Sequence, residues 1–275
     1  LKTLSAAPIP SAEISYAVGR SLERMGQLDE ALLAYKKSQS LDASFSPNIK
    51  ALARLRTSLG SVYHKRGMQL YRSGEYYLAD KQLTKALSYG MISIDGYKAL
   101  ADISERRGNL TRSARFIENV CKIQPSSVYS HYKAARLFLD LGKIDKSFYH
   151  AEKVKSLHVK AKSESKISDE DIQRLASDVA AACMRAAKID LTKTKSVRRI
   201  WEKMVWLNRA KSLHNSTAIN TRLGLFYERL GDLTTGEQRR SHYNKAIKCF
   251  EDAKETGANA DAVNNGIARI DKKSK

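Results

Sequence analysis

The histidines and cysteines are the side chains of this sequence best suited to bind a metal ion or to act as nucleophiles. Six histidines and three cysteines are present, and they form no CxxC or HExxH pattern. His150 and His158 would lie about 80° apart around a helix and not in one line. We therefore predict no metal site and no cofactor, and interpret the cysteines as small buried helix residues. The residues considered are Cys121, Cys183, Cys249, His64, His131, His150, His158, His214 and His242.

A pair of carboxylates, Asp102 and Glu105, has the spacing of side chains on one helix face, and paired carboxylates can carry out acid–base catalysis. Lys98 and Arg106 lie close by in the sequence, so we interpret the group as a surface ion-pair cluster. The sequence contains no GxGxxG pattern and no phosphate-binding Walker loop. We predict that this chain is not an enzyme.

The elements that must position these side chains are helix pairs, and they are marked by glycine spacing. In three places the spacing Gly-x6-Gly is followed by an alanine and then by a larger apolar residue. In the best copy, the apolar residues of residues 12–42 repeat every three to four positions on both sides of Gly26, which predicts two helices. The glycine pairs are Gly19/Gly26, Gly67/Gly74 and Gly224/Gly231.

The pattern resembles the tetratricopeptide repeat, a helix-turn-helix unit of 34 residues. Gly19, Gly26, Ala31 and Tyr35 occupy the small, glycine, alanine and aromatic positions of that family, and Ser38 stands at the last small position. The small residues Gly19 and Ala31 predict a close crossing of the two helices. The resemblance implies an all-α fold, a right-handed solenoid of antiparallel helix pairs. We expect about five pairs and a C-terminal capping helix, because such arrays need capped ends.

The repeat frame also predicts the domain organisation. We expect one continuous solenoid over residues 12–275, preceded by a linker at residues 1–11. Because the sequence does not begin with methionine, we expect a fragment or a processed form of a longer chain. The predicted regular repeats are about 12–45, 60–92, 94–127 and 128–161, followed by a diverged repeat at about 166–215 and a last repeat with its cap at 217–275.

Ser168 with Asp171 predicts the capped start of a helix in the diverged repeat. In the last repeat, Gly231 stands where Gly26 ends the first helix, an insertion of about eight residues precedes Ala246, and the capping helix covers residues 260–271.

The charge of the chain is strongly positive, with a formal net value of +20. Its density is highest in the predicted diverged repeat, where residues 185–211 carry nine basic and two acidic side chains. Such a surface attracts acidic partners. We predict a basic outer surface that consists of Arg185, Lys188, Lys193, Lys195, Arg198, Arg199 and Lys203.

The family resemblance implies a second surface, the concave groove that the first helices of the pairs line. In the four regular copies the groove positions hold six basic and six acidic residues together with tyrosines, which is nearly neutral. This composition favours a peptide or a partner helix, since Tyr and Arg are enriched at binding hot spots. The predicted groove residues are Tyr16, Arg20, Arg24, His64, Tyr71, Arg72, Lys98, Arg106, Tyr132 and Arg136.

Three functions are consistent with these surfaces. The favoured one is a non-catalytic scaffold that binds a protein or peptide partner in the groove and an acidic partner on the basic surface. The alternative is an accessory domain of a larger enzyme or secretion machine that handles an anionic polymer, such as an acidic or phosphate-linked glycan. RNA binding is the weaker alternative, because the basic stretch offers only Trp201 and Trp206 for base stacking.

The sequence leaves the cellular compartment open. The cysteines form no disulfide framework, which favours the cytoplasm, with the periplasm or cell envelope as the alternative. No apolar run approaches the roughly 20 residues that a membrane-spanning helix needs.

Overall fold

The computed structural model of the chain describes residues 11–160 and 167–274. Apart from Ser11, the predicted linker lies outside the described residues, and so does residue 161 at the end of the fourth predicted repeat. All regular secondary structure in the described residues is α-helical, which confirms the predicted all-α class. None of the described helices is both long enough and apolar enough to cross a membrane.

The chain divides into two compact units with the boundary between residues 109 and 110. This boundary falls in the turn of the predicted third repeat, so its two helices belong to different units. The single array over residues 12–275 stays a prediction. The first unit contains α1 (Ala12–Arg24), α2 (Leu28–Leu41), α3 (Ser46–Arg72), α4 (Tyr76–Ser88) and α5 (Ile94–Arg106).

The second unit carries the remaining described helices, again mostly as pairs with short turns. The predicted final helix over residues 260–271 is observed and continues to Ser274. The helices are α6 (Leu110–Ile123), α7 (Val128–Asp140), α8 (Ile144–Lys160), α9 (Asp169–Ala186), α10 (Val197–Leu213), α11 (Thr217–Asp232), α12 (Gly236–Glu255) and α13 (Ala260–Ser274).

The first helix pair of unit 1 explains why the repeat needs its first glycine. A Cβ atom on Gly19 would lie 2.6 Å from atoms Cδ1 and Cε1 of the Tyr35 ring, so a larger residue would displace that ring. Gly67 has the same relation to Leu83, whose Cγ lies 2.7 Å from the Cβ position. The sequence predicted a close helix crossing at Gly19, and the aromatic position of the second helix is what fills the space.

Helix α3 is longer than its repeat predicts. The second predicted repeat begins at residue 60, but the helix begins at Ser46, and Pro47 occupies its first turn, where a missing N–H costs nothing. The additional turns are helical because Leu52, Leu55 and Leu59 share one face and are buried in the same core as the side chains of α2.

The predicted diverged repeat forms the pair α9 and α10 in unit 2. As predicted, Ser168 caps α9: its Oγ accepts a hydrogen bond from the Asp171 N–H at 3.1 Å and donates one to the Asp171 carboxylate at 2.8 Å. Leu175, Met204 and Phe226 are almost fully buried in the large core of this unit.

The last helix pair departs from the repeat frame. Gly231 was expected to end the first helix, but α11 continues to Asp232 and Gly231 packs there against the ring of Tyr243. The chain turns instead before Gly236, whose φ of +57° is the left-handed conformation that glycine tolerates. The predicted insertion of about eight residues is therefore helical and forms the start of the 20-residue helix α12.

Candidate functional site

An open groove of about 710 Å³ lies between α1 and α3 in unit 1. Four of its lining side chains are cationic and one is a carboxylate. Three of the predicted groove residues line it, and they stand one helical turn apart on α1. The lining residues are Tyr16, Arg20, Glu23, Arg24, Pro47, Lys50, Ala51 and Arg54.

The carboxylate of this groove, Glu23, already has two partners. The Tyr35 hydroxyl donates to its Oε2 at 2.8 Å, and Arg54 Nη2 lies 3.0 Å from Oε1 and 2.9 Å from Oε2. Burial first, and then the hydrogen bond to Glu23, raises the pKa of Tyr35, so its hydroxyl keeps its proton and acts as a donor. Glu23 is thus neutralised by Arg54, and the positive charge of the other cations remains.

An aromatic side chain stands beside these cations. The Tyr16 ring packs edge-on against Phe45, with 5.5 Å between the ring centroids. Its centroid lies 5.7 Å from the centroid of the Tyr35 ring. The guanidinium of Arg20 lies 5.9 Å from the centroid of the Tyr16 ring, within cation–π range. Tyr16 is half-buried, whereas Arg20 and Arg24 are exposed, so the groove combines an apolar surface with accessible positive charge.

Two cations of the groove, Lys50 and Arg54, were missed by sequence reasoning. They lie in residues 46–59, between the first two predicted repeats, and so had no position in the family frame. The frame predicted a nearly neutral groove over four repeats, whereas the observed cavity at the first pair has four cations against one carboxylate. Pro47 and the spacing of Leu52, Leu55 and Leu59 are the sequence signals that could have placed these residues on a helix.

A second group of predicted groove residues forms a hydrogen-bonded network within unit 1. The Tyr71 hydroxyl donates to Asp102 at 3.0 Å, and Arg106 Nε donates to the same carboxylate at 2.8 Å. The Arg106 guanidinium also lies 4.7 Å from the centroid of the Tyr76 ring. Burial and the neighbouring Asp102 raise the pKa of Tyr71. The predicted ion-pair interaction of Asp102 is therefore observed.

The other predicted groove residues of unit 1 differ in their surroundings. His64 is half-buried, and its ring packs against Gly96 of α5. A Cβ atom added to Gly96 would lie 3.2 Å from Cδ2 of His64. Lys98 and Arg72 are exposed. Neither residue lines the cavity between α1 and α3.

Two predicted groove residues belong to unit 2. Tyr132 is half-buried and packs against the core of that unit. Arg136 Nη1 lies 3.3 Å from Oδ2 of Asp178 on α9, so its guanidinium helps to join α7 to α9. These two residues form no part of the groove of unit 1.

The predicted basic surface extends over the end of α9, the following loop and the start of α10. Lys203 differs from the rest, because its Nζ donates to the Ala186 carbonyl at 2.9 Å. Ala186 is the last residue of α9, and a cation at the C-terminus of a helix stabilises the helix. Lys193 and Arg198 have acidic neighbours, Asp190 at 3.7 Å and Glu202 at 2.9 Å. Four exposed side chains form no ion pair within the described residues: Arg185, Lys188, Lys195 and Arg199.

The loop that carries these cations is held in place by hydrogen bonds. The Asp190 carboxylate accepts from the Thr192 N–H at 3.1 Å, and the Thr194 hydroxyl donates to the Asp190 carbonyl at 2.6 Å. Arg229 of α11 donates through Nε and Nη2 to the Thr194 carbonyl at 3.0 and 2.9 Å. The positions of Lys193 and Lys195 are therefore set by backbone contacts.

The two tryptophans beside this segment are partly committed to packing. Trp206 packs against the core of unit 2 and under the guanidinium of Arg209, 4.7 Å from its ring centroid. Trp201 packs edge-on against Tyr227, with 6.1 Å between centroids, and remains 39% exposed. Both rings are thus in contact with other side chains of unit 2, and RNA binding stays the weaker prediction.

Comparison with known proteins agrees with the helix pairs. Residues 12–45, which contain α1 and α2, match the family model of the tetratricopeptide repeat. This is the segment in which Gly19 receives the Tyr35 ring. This segment is therefore a tetratricopeptide repeat. No curated protein matches the sequence.

Solved structures of tetratricopeptide-repeat proteins resemble the chain at low sequence identity. YrrB, described as having an unusual peptide-binding site, is 12% identical, with 74% of this chain and 87% of YrrB covered and a TM-score of 0.34. MamA is 16% identical, with 70% of this chain and 97% of MamA covered and a TM-score of 0.33. A tetratricopeptide-repeat protein from Parabacteroides merdae is 13% identical, with 94% and 98% covered and a TM-score of 0.34.

Proposed function

We propose that this tetratricopeptide-repeat chain is a protein-interaction module, and that the groove between α1 and α3 binds an acidic peptide or partner helix. The observation that carries the proposal is the charge of the groove: four cations line it with one carboxylate, and that carboxylate is already bound by Arg54. The accessible cations are Arg20, Arg24 and Lys50, which form no ion pair within the described residues.

The residue types of the groove suit a peptide. Arginine binds carboxylates with two parallel hydrogen bonds, which gives geometric specificity as well as charge attraction. The Tyr16 ring adds an apolar contact for a side chain between two acidic residues of the partner. The volume of about 710 Å³ and the open form of the groove can accommodate an extended segment or one face of a helix.

A direct test uses a short fluorescent peptide in which Glu alternates with Leu, and a control peptide with Lys in place of Glu. We expect the wild-type chain to bind the first and not the second. Changing Arg20→Ala, Arg24→Ala and Lys50→Ala together should lower the affinity about tenfold or more, at about 0.5 kcal/mol per exposed charge contact. Fluorescence anisotropy at fixed ionic strength measures both affinities.

The matched control removes three other cations of α3 that are exposed and do not line the groove: Arg56→Ala, Lys65→Ala and Arg66→Ala. Both triple variants have the same net charge. If they lose affinity equally, attraction by the whole molecule explains binding and the groove does not. Unchanged affinity in the groove variant would overturn the proposal.

A second candidate function rests on the exposed cations of unit 2. Lys188, Lys195 and Arg199 are exposed on a segment whose backbone is held by Arg229, so they present positive charge at defined positions. This supports binding of an acidic partner surface or an anionic polymer, as the alternative of an accessory domain requires. The groove and this surface lie in different units, so separate variants test the two functions.

Inorganic polyphosphate is a suitable probe for that surface. We expect the variant Lys188→Ala, Lys195→Ala, Arg199→Ala to bind it more weakly and with a shallower salt dependence, by about 0.7 in the log–log slope per lost phosphate contact. The control variant removes three exposed cations of α12, Arg240, Lys248 and Lys254. Equal slopes for the two variants would contradict a local binding surface.

A further inference from the structure

Three buried side chains with soft or borderline metal-ligand atoms come together in unit 2. They are Cys121 of α6, His131 of α7 and His150 of α8, which are 6%, 3% and 3% exposed. Each offers one ligand atom, and these three atoms lie within 4.8 Å of one another. They are the one such group of three in the described part of the chain. Neither the peptide groove nor the basic segment uses these residues.

His131 is oriented in the way that metal-binding histidines are. Its Nε2 lies 3.1 Å from the Pro125 carbonyl oxygen, which can only accept, so Nε2 carries the proton. The other ring nitrogen, Nδ1, is then an unprotonated lone pair that points toward His150, with 2.8 Å between the two Nδ1 atoms. A backbone carbonyl that fixes the tautomer and orientation of the ring is the usual outer contact of a metal-bound histidine.

Packing fixes the ring of His150. Phe138 stacks on His150 at 5.6 Å with 12° between the ring planes, and Tyr149 contacts it edge-on at 5.1 Å. With Nδ1 of His131 as the acceptor, His150 donates from its own Nδ1. This arrangement needs no charge on either ring, and the neutral imidazole is the form that binds metal ions. Burial lowers the pKa of both histidines, to about 4 for His150, so they remain neutral at pH 7.

We propose that Cys121, His131 and His150 bind one soft or borderline transition-metal ion, zinc(II) or copper(I). Thiolate and imidazole are the ligands that these two ions share. One thiolate with two neutral imidazoles balances the charge of copper(I) and leaves one positive charge on zinc(II). The ion takes the place of the proton that the two Nδ1 atoms share.

Binding requires small, balanced changes. Two nitrogens on one zinc ion are about 3.3 Å apart at bond lengths of about 2.05 Å, so the imidazoles must separate by about half an ångström. The Nδ1 proton of His150 moves to Nε2, and the Cys121 thiol loses its proton to solvent. Burial raises the pKa of that thiol to about 12, so the metal–sulfur bond must drive the loss of the proton. The net exchange is one proton released per ion bound.

The charged groups near the cluster oppose one another. Glu118 of α6 favours a bound cation, and its carboxylate is held by Lys146 Nζ of α8 at 2.8 Å. Lys146 and Lys153, both on α8, disfavour a bound cation because they are positively charged. The cluster thus lies in nearly balanced surroundings, and the thiolate is the group that must neutralise the ion.

The first experiment measures metal binding by the whole reduced chain against a chromophoric chelator, with zinc(II) and copper(I) in separate titrations. We expect one ion per chain. Cys121→Ser and His150→Gln should each weaken binding by at least a hundredfold, whereas Cys183→Ser and Cys249→Ser, which change the other buried cysteines, should leave it unchanged. Equal losses in all three serine variants, or no stoichiometric binding of either ion by the wild-type chain, would overturn the proposal.

Two further measurements need no mutation of the cluster. Cobalt(II) bound by a thiolate gives a sulfur-to-metal charge-transfer band, which we expect in the wild-type chain and in Cys183→Ser. Since one proton leaves per ion, the zinc affinity should rise about tenfold per pH unit from pH 7 to pH 8. A chain without the charge-transfer band and with a pH-independent affinity has a hydrogen-bonded histidine pair and no metal site.

Discussion

Two charged sites, one in each unit, use positive charge in different ways. In unit 1, Arg20, Arg24 and Lys50 are exposed around the groove and outnumber its one carboxylate. In unit 2, a buried carboxylate, Glu228, is matched by cations of α13: Arg269 Nε and Nη2 both lie 2.7 Å from its oxygens. Positive charge serves internal stability in the second case and remains available to a partner in the first. Net charge alone therefore says little about function, and the local balance says more.

The largest expected effect separates the ion pairs of the buried Glu228 from the more exposed pair of Glu23 with Arg54. Burial alone would raise the pKa of Glu228, but hydrogen bonds from Arg269 and Lys273 lower it below its usual value. Glu228→Gln should reduce the free energy of unfolding by about 3 kcal/mol, because Arg269 loses its carboxylate partner and Lys273 keeps only Asp232, at 3.0 Å. Glu23→Gln should cost less than about 1 kcal/mol, because Arg54 is 68% exposed. Urea unfolding of both variants measures the difference, and equal losses would contradict the contrast.

The next effect is a pH dependence of unit 2. The folded-state pKa of His150 is about 4, because burial first, and then His131, disfavours its charge. The unfolded chain binds this proton at about pH 6.5, so stability is complete above that pH and falls as the pH drops toward 4. We expect a loss on the order of 3 kcal/mol over this window. His150→Gln should flatten the dependence in urea unfolding, and an identical slope in the variant would exclude His150 as the cause.

A smaller effect is expected at the base of the groove. Tyr35→Phe keeps the ring against Gly19 but removes the hydrogen bond to Glu23, for an expected loss of about 1 kcal/mol. In a double-mutant cycle with Glu23→Ala, the two losses should not add, because both substitutions remove the same hydrogen bond. Additive losses in urea unfolding would show that Tyr35 and Glu23 act separately.

The smallest effect is expected on the basic surface. Lys193→Ala removes a pair with Asp190 at 3.7 Å, and the lysine side chain is 86% exposed. The free energy of unfolding should change by less than about 0.5 kcal/mol. Thermal unfolding of the variant beside wild type checks this. A loss above about 1 kcal/mol would mean that this surface has a structural role like that of Glu228.

Local features of the fold were predictable from the sequence. The helix start at Ser168, the turn after Arg24 and the small residue at Gly19 depend on neighbours within one helix pair, and the structure agrees with each. The last pair was less predictable. Gly231 has the spacing of a turn residue, but packing against Tyr243 keeps it inside α11, which the spacing alone cannot reveal.

The sequence by itself determined the all-α class, the helix pairs and the excess of positive charge, because periodicity, capping residues and composition act over a few residues. Tertiary structure decided where the charge is accessible. Arg54 reaches Glu23 across 31 positions of sequence, and Cys121, His131 and His150 meet from three separate helices. Such groupings depend on how helices pack, and no motif spacing records them. The groove charge and the buried thiol–imidazole cluster were therefore visible only in the folded chain.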